Sequence, residues 1–129
     1  MKKILTILSM LMFVLVSTEA ETLQEVNKDI NALAILSKPE VLKLVTDKNV
    51  KYIIGEKVIE FTHKNDGVLK GYIPKRDKTF YGKWWVKKNG VLCKKTNKKR
   101  CSLIAKSKAG NYYAYIHKKR VVFAKIIIK

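Results

Sequence analysis

Eight short runs rich in β-branched and aromatic residues follow one another from position 50 to the C-terminus, and no link between them is long enough for a crossing connection. The runs fall at 50–54, 58–63, 68–73, 80–86, 91–95, 101–106, 112–116 and 121–128. Turn-forming stretches such as Lys64-Asn65-Asp66-Gly67 and Lys87-Lys88-Asn89-Gly90 separate them. A parallel pair needs a crossover of about a dozen residues, so each run must lie antiparallel to the next. The pattern predicts a mainly β (α+β) fold: a helical N-terminal segment, then an eight-strand antiparallel meander. That meander either closes into a small up-and-down barrel or stays a strongly curved sheet.

The centre of the meander is its best-defined hairpin. Alternation over 80–86 places Phe80, Gly82, Trp84 and Val86 on one face and Tyr81, Lys83 and Trp85 on the other. Trp84 is therefore expected in the core, and Trp85 half exposed, either as a ligand-facing ring or, the preferred reading, as a surface aromatic packed under lysine stems. Gly82, among large neighbours, predicts a bend or a close approach of strands. Asn89-Gly90 is expected to supply the positive φ angles of a tight turn. The run Ile126-Ile127-Ile128 offers no polar face, which predicts that both sides of the last strand are covered.

Upstream, Leu23, Val26, Ile30, Leu33 and Ala34 recur at helical spacing and predict a helical or partly disordered segment over 21–36. Ser37-Lys38-Pro39-Glu40 is a capping box with proline in the first turn, followed by a short helix over 38–46. Residues 1–20 have the build of a secretory leader. Lys2 and Lys3 precede the 13-residue apolar run 4–16, which is shorter than the roughly 20 residues of a spanning helix, and Thr18 and Ala20 are small residues suited to a cleavage site. The domain organisation is then a leader (1–20), a helical segment (21–36) and one β-rich domain (37–129). An exported, periplasmic or extracellular chain is expected. In that setting Cys93 and Cys101, which flank one tight link, pair as a disulfide.

The formal net charge is +18, with 28 lysines and arginines against 10 acids, and no acid follows Asp77. Such a field attracts anionic partners: anionic lipid, polysaccharide or an envelope protein. Export disfavours nucleic acid as the partner. Only Arg76, Arg100 and Arg120 are arginines; arginine is the residue preferred for bidentate phosphate recognition, so the excess of lysine also fits a merely solvated basic surface written by an AT-biased genome. In a meander, alternate links share an end. One end would then carry Lys57, Lys75, Arg76, Lys78, Lys98, Lys99, Arg100, Lys118, Lys119 and Arg120 against Glu56 and Asp77. The other has Lys64, Lys87, Lys88 and Lys108 against Asp66. The candidate anion-binding residues are Lys75, Arg76, Lys98, Lys99, Arg100, Lys118, Lys119 and Arg120.

Catalytic chemistry finds little footing. His63 and His117 are expected as solvated turn residues, and no nucleophile motif, glycine-rich phosphate loop or metal-binding helix is present. Two thiols and two distant histidines do not make a zinc spacing. No catalytic residue, metal or cofactor is expected. The leading expectation is a non-catalytic envelope-binding module with a basic rim; the alternative is a lipocalin-like small-ligand carrier or a periplasmic hydrolase inhibitor.

The succession Leu36-Ser37…Glu40-Val41…Leu44, Phe61…Asp66-Gly67…Gly71, Gly82-x-Trp84-x-Val86…Gly90-x-Leu92-Cys93…Cys101 and Gly110-x-Tyr112 resembles a widespread family of small exported bacterial proteins catalogued as a domain of unknown function. The likeness runs from about Leu36 to the C-terminus. It implies a short helix followed by β-strands, an envelope location and the cysteine pair, rather than an activity. The abundant lysines depart from the more neutral surfaces of that family.

Overall fold

The computed structural model describes residues 22–129, so the leader-like segment 1–20 lies outside the described residues. The chain forms helix α1 (Leu23–Lys28), a 3-10 turn (Ile30–Ala32), strand β1 (Ala34–Ile35) and helix α2 (Lys38–Val45). Eight strands follow: β2 (Asn49–Ile54), β3 (Lys57–His63), β4 (Val68–Ile73), β5 (Lys78–Val86), β6 (Leu92–Lys95), β7 (Lys99–Lys106), β8 (Tyr112–Ile116) and β9 (Val121–Ile128). Each pairs antiparallel with the next, and β9 returns to β2 through Val50↔Ile128 and Tyr52↔Ile126. The meander is thus a closed eight-strand barrel, and closure removes the exposed edges that an open sheet would present.

Over residues 22–36 the chain is not one helix. α1 stops at Asp29 (φ −120°, ψ 49°), and the chain becomes extended to pair with β7 through Ala34↔Lys106 and Ile35↔Ala105. β6 is only four residues long and pairs with the first half of β7, Lys99–Ser102, so the second half has an open side that β1 fills. The helical spacing of apolar residues serves the outer wall instead. Leu23, Val26, Ile30 and Leu33 pack on Leu103, Ala105, Tyr113, Tyr115 and Val122.

α2 has the expected cap: the Glu40 N–H donates to Ser37 Oγ and the Ser37 N–H donates to Glu40 Oε1. The Ser37 N–H and then its hydroxyl hold the Glu40 carboxyl below its ordinary pKa. Val41 and Val45 on this helix are fully buried and join Leu36, Leu69, Trp84, Val86 and Leu92 in the main core. The helix plugs one end of the barrel. Gly90 lies against it, and a Cβ there would sit 2.5 Å from the Leu36 carbonyl oxygen.

The three links at the plugged end share one geometry. In each, the fourth residue, Gly67, Gly90 or Gly110, donates its N–H to the carbonyl three residues earlier and has φ of +86 to +88°. Only the glycine enters the left-handed region. Asn89 does not, and its Oδ1 instead accepts from the Val91 N–H. These are type I turns closed by a glycine bulge, not the two-residue turn that Asn-Gly most often forms.

The last strand departs from expectation at its end. Ile126 is buried, but Ile127 points outward and is 37% exposed. A β-bulge where Tyr115 pairs with Val122 and Ala114 with Ala124 leaves Phe123 as the extra residue. Among the described residues, α1 covers the outer side of β9 at Val122. There the Val122 N–H donates to Asn27 Oδ1 (2.8 Å), and Asn27 Nδ2 donates to the Val122 carbonyl (3.2 Å).

Candidate functional site

The register identifies the inner wall. Cross-strand partners share a face, so Tyr52 with Ile59, Phe61 with Gly71, Gly71 with Phe80, and Trp84 with Lys94 all face inward. Rings meet along the interior in sequence: Tyr52 with Phe61 (centroids 5.4 Å apart), Phe61 with Phe80 (5.9 Å), Phe61 with His63 (6.4 Å) and His63 with Trp84 (5.2 Å). Gly71 has no side chain because the Phe80 ring occupies that space, 2.2 Å from where a Cβ would be. Trp84 is buried and donates from Nε1 to the Lys64 carbonyl at 2.8 Å. Trp85 lies half-buried on the outer wall with Lys99 Nζ 5.7 Å from its ring centroid. Gly82 is a close-approach position, since a Cβ there would lie 2.3 Å from the Lys95 carbonyl oxygen.

One cation sits among these rings. Lys94 Nζ donates to the Tyr52 hydroxyl and lies over the ring faces of Tyr52 (3.8 Å to centroid) and Phe61 (4.5 Å). Its side chain is crowded by protein, although part of its surface remains open to solvent. Burial pushes the amine down to about 7 and pushes the Tyr52 phenol up. The ring faces act the other way on Lys94, since their quadrupoles favour the ammonium. Among the described residues no acid occupies an inward-facing position of the eight strands: Glu60 is on the outward face of β3, and Glu56, Asp66 and Asp77 are in links.

His63 is not a solvated turn residue. It ends β3 on the inward face, has no exposed surface, and is covered where α2 runs into β2; its carbonyl accepts from the Asp47 N–H. Neither ring nitrogen reaches a partner with hydrogen-bond geometry. Burial first, then the charge on Lys94, push its imidazole down to about 3, with the Lys48 carbonyl acting weakly in the other direction. The neutral ring is held as a core aromatic. His117 is exposed in the β8–β9 link, as expected.

The candidate rim residues lie where the meander puts them. Lys75 and Arg76 are in the β4–β5 link, Lys98, Lys99 and Arg100 in and after the β6–β7 link, and Lys118, Lys119 and Arg120 in the β8–β9 link. All are exposed, and all three links are at the end opposite α2. They are not equally free: Arg120 donates to Asn31 Oδ1 at 2.6 Å, and Lys99 leans over Trp85. Arg100 is the directly paired neighbour of Lys94 and shares its inward face. Cys93 and Cys101 form a disulfide between paired positions of β6 and β7, with Cα atoms 4.1 Å apart.

Lys94 is the residue that composition and motif reading passed over. Its signal was the hairpin register: counting outward from the turn pairs Val86 with Leu92 and therefore Trp84 with Lys94. Comparison of the chain with protein-family models, with curated proteins and with solved structures found no match.

Proposed function

We propose that the protein works outside the cytoplasm as a non-catalytic binding barrel whose basic mouth holds anionic envelope components, phosphate-bearing lipid foremost and anionic polysaccharide next. The observation that carries this reading is the gathering of charge at the end away from the helix plug. The four links and strand ends there hold eleven lysines and arginines, Lys95 included, against Glu56 and Asp77, a formal +9. The plugged end carries less: Lys38, Lys43, Lys48, Lys64, Lys87, Lys88, Lys106, Lys108 and Lys129 against Glu40, Asp47 and Asp66, a formal +6. The disulfide is compatible with an oxidising compartment, and the leader-like residues 1–20 suit export. The predominance of lysine suits attraction by a diffuse field rather than a bidentate grip on one phosphate.

Co-sedimentation with vesicles of phosphatidylglycerol mixed into phosphatidylcholine tests the reading. Binding should appear with the anionic lipid, weaken steeply from 50 to 300 mM salt as the Debye length shortens (about 8 Å at 0.15 M), and fall in a Lys75→Gln, Arg76→Gln, Lys98→Gln, Lys118→Gln variant. Neutralising Lys64, Lys88 and Lys108 at the plugged end should matter little. Equal losses from both sets, or binding insensitive to salt, would refute it.

A further inference from the structure

We propose that Lys94 is a carbonyl-trapping amine, seated just inside the basic mouth, that condenses reversibly with a small anionic aldehyde or keto acid. Three observations meet at this residue. Lys94 precedes the last residue of β6, so it lies near the mouth on the inner wall, and part of its surface stays open to solvent. No carboxylate among the described inward-facing residues offsets its charge, and the cation paired with it across the strands is Arg100. Its Nζ is held on the Tyr52 hydroxyl between two ring faces.

The two ring faces favour the ammonium, but without a counter-ion the desolvation penalty outweighs them and the amine sheds its proton; a neutral amine is a nucleophile. The lowering of the amine to about 7 agrees with this. The groups facing it are the Tyr52 phenol from β2, His63 from β3 and Arg100 from β7, none of which supplies negative charge near neutrality.

The step is a condensation without redox change. The Nζ lone pair attacks the carbonyl carbon as the C=O π pair moves to oxygen. A proton passes from nitrogen to that oxygen, relayed by the protonated Tyr52 hydroxyl, to give a carbinolamine. The nitrogen lone pair then expels the hydroxyl group, which takes up the proton that this nitrogen gives up and leaves as water, and a C=N bond remains. The carbonyl compound is anionic because Arg100 is the adjacent group on the same face and the mouth beyond it is basic. This choice of ligand charge rests on the basic-mouth reading, whereas the reactivity of Lys94 does not.

The test is competitive reductive labelling of the oxidised protein at pH 7, with sub-stoichiometric glyoxylate or neutral propanal and cyanoborohydride to trap imines, read by peptide mass mapping. An exposed lysine of ordinary pKa is only about one part in 2,500 neutral at this pH. Lys94 should therefore be modified at least about tenfold faster than Lys88 and Lys108 by either aldehyde, with a further preference for glyoxylate. Tyr52→Phe should slow labelling of Lys94 alone, and Arg100→Gln should remove the glyoxylate preference while sparing the propanal rate. Labelling of Lys94 no faster than Lys88 and Lys108 with both aldehydes would overturn the proposal, even if vesicle binding holds. Fast labelling without any preference for glyoxylate would overturn the assignment of an anionic ligand.

Discussion

The imidazole of His63 and the indole of Trp84 meet edge to face, with ring centroids 5.2 Å apart, where helix α2 closes the barrel. Burial first, and then the charge on Lys94, keep that imidazole uncharged. Between about pH 6.5 and about 3 the unfolded chain protonates this residue while the folded protein does not. The unfolded state then binds more protons, so stability falls as pH drops through that window. The loss should approach roughly 4 kcal/mol at the acid end. Urea unfolding at pH 7 and at pH 4 should show it, and His63→Phe should flatten the difference; an unchanged slope in the variant would show that other groups cause it.

Lys94 makes the opposite end of the pH range informative. Its folded value of about 7 lies below the ordinary lysine value of 10.5, so from pH 7 to about 10 the unfolded chain holds a proton that the folded protein has released. Stability should rise with pH across that window. Lys94→Met, which keeps the stem without the amine, should be flat from pH 7 to 9.5 by urea titration. A wild type that is equally flat would show that the amine stays charged in the barrel.

The two tryptophans should separate cleanly. Trp84→Ala removes a buried ring and its hydrogen bond, at a cost of about 3–5 kcal/mol. Trp85→Ala on the outer wall should cost no more than about 1.5 kcal/mol, since a half-exposed ring buries less apolar area. Chemical unfolding of both variants checks the assignment, and equal losses would reverse the faces of β5.

Asn27 ties α1 to the bulged strand by serving both backbone groups of Val122. Asn27→Ala should cost about 1–3 kcal/mol, because two part-buried backbone groups lose their partner. Asn27→Asp keeps the acceptor for the Val122 N–H and loses the donor to its carbonyl. Hydrogen exchange at Val122 should accelerate far more in the alanine variant than in the aspartate one; equal exchange would show that the clamp is incidental.

Much of the architecture could be read from local chemistry alone. Short links admit only antiparallel neighbours, Ser37 and Glu40 announce the start of α2, and strict alternation separates Trp84 from Trp85. Spacing also paired Cys93 with Cys101, and the order of the links placed Arg76, Arg100 and Arg120 at one end. What only the tertiary structure decided depends on contacts between residues far apart in the chain. Closure came from β9 meeting β2, which made an interior of the sheet's concave face. The open side of β7 drew Ala34 and Ile35 out of the helical pattern, because unpaired backbone groups there had to find partners. The helix plug converted His63 from a turn residue into a buried neutral ring. Lys94 looked like one more surface lysine in a chain that has 25 of them, since alternation tells which residues share a face but not which face becomes the inside. Only when the barrel closed did Tyr52, 42 residues away, come within reach of its amine, and only then did the absence of an acid on that face become a physical constraint on its charge.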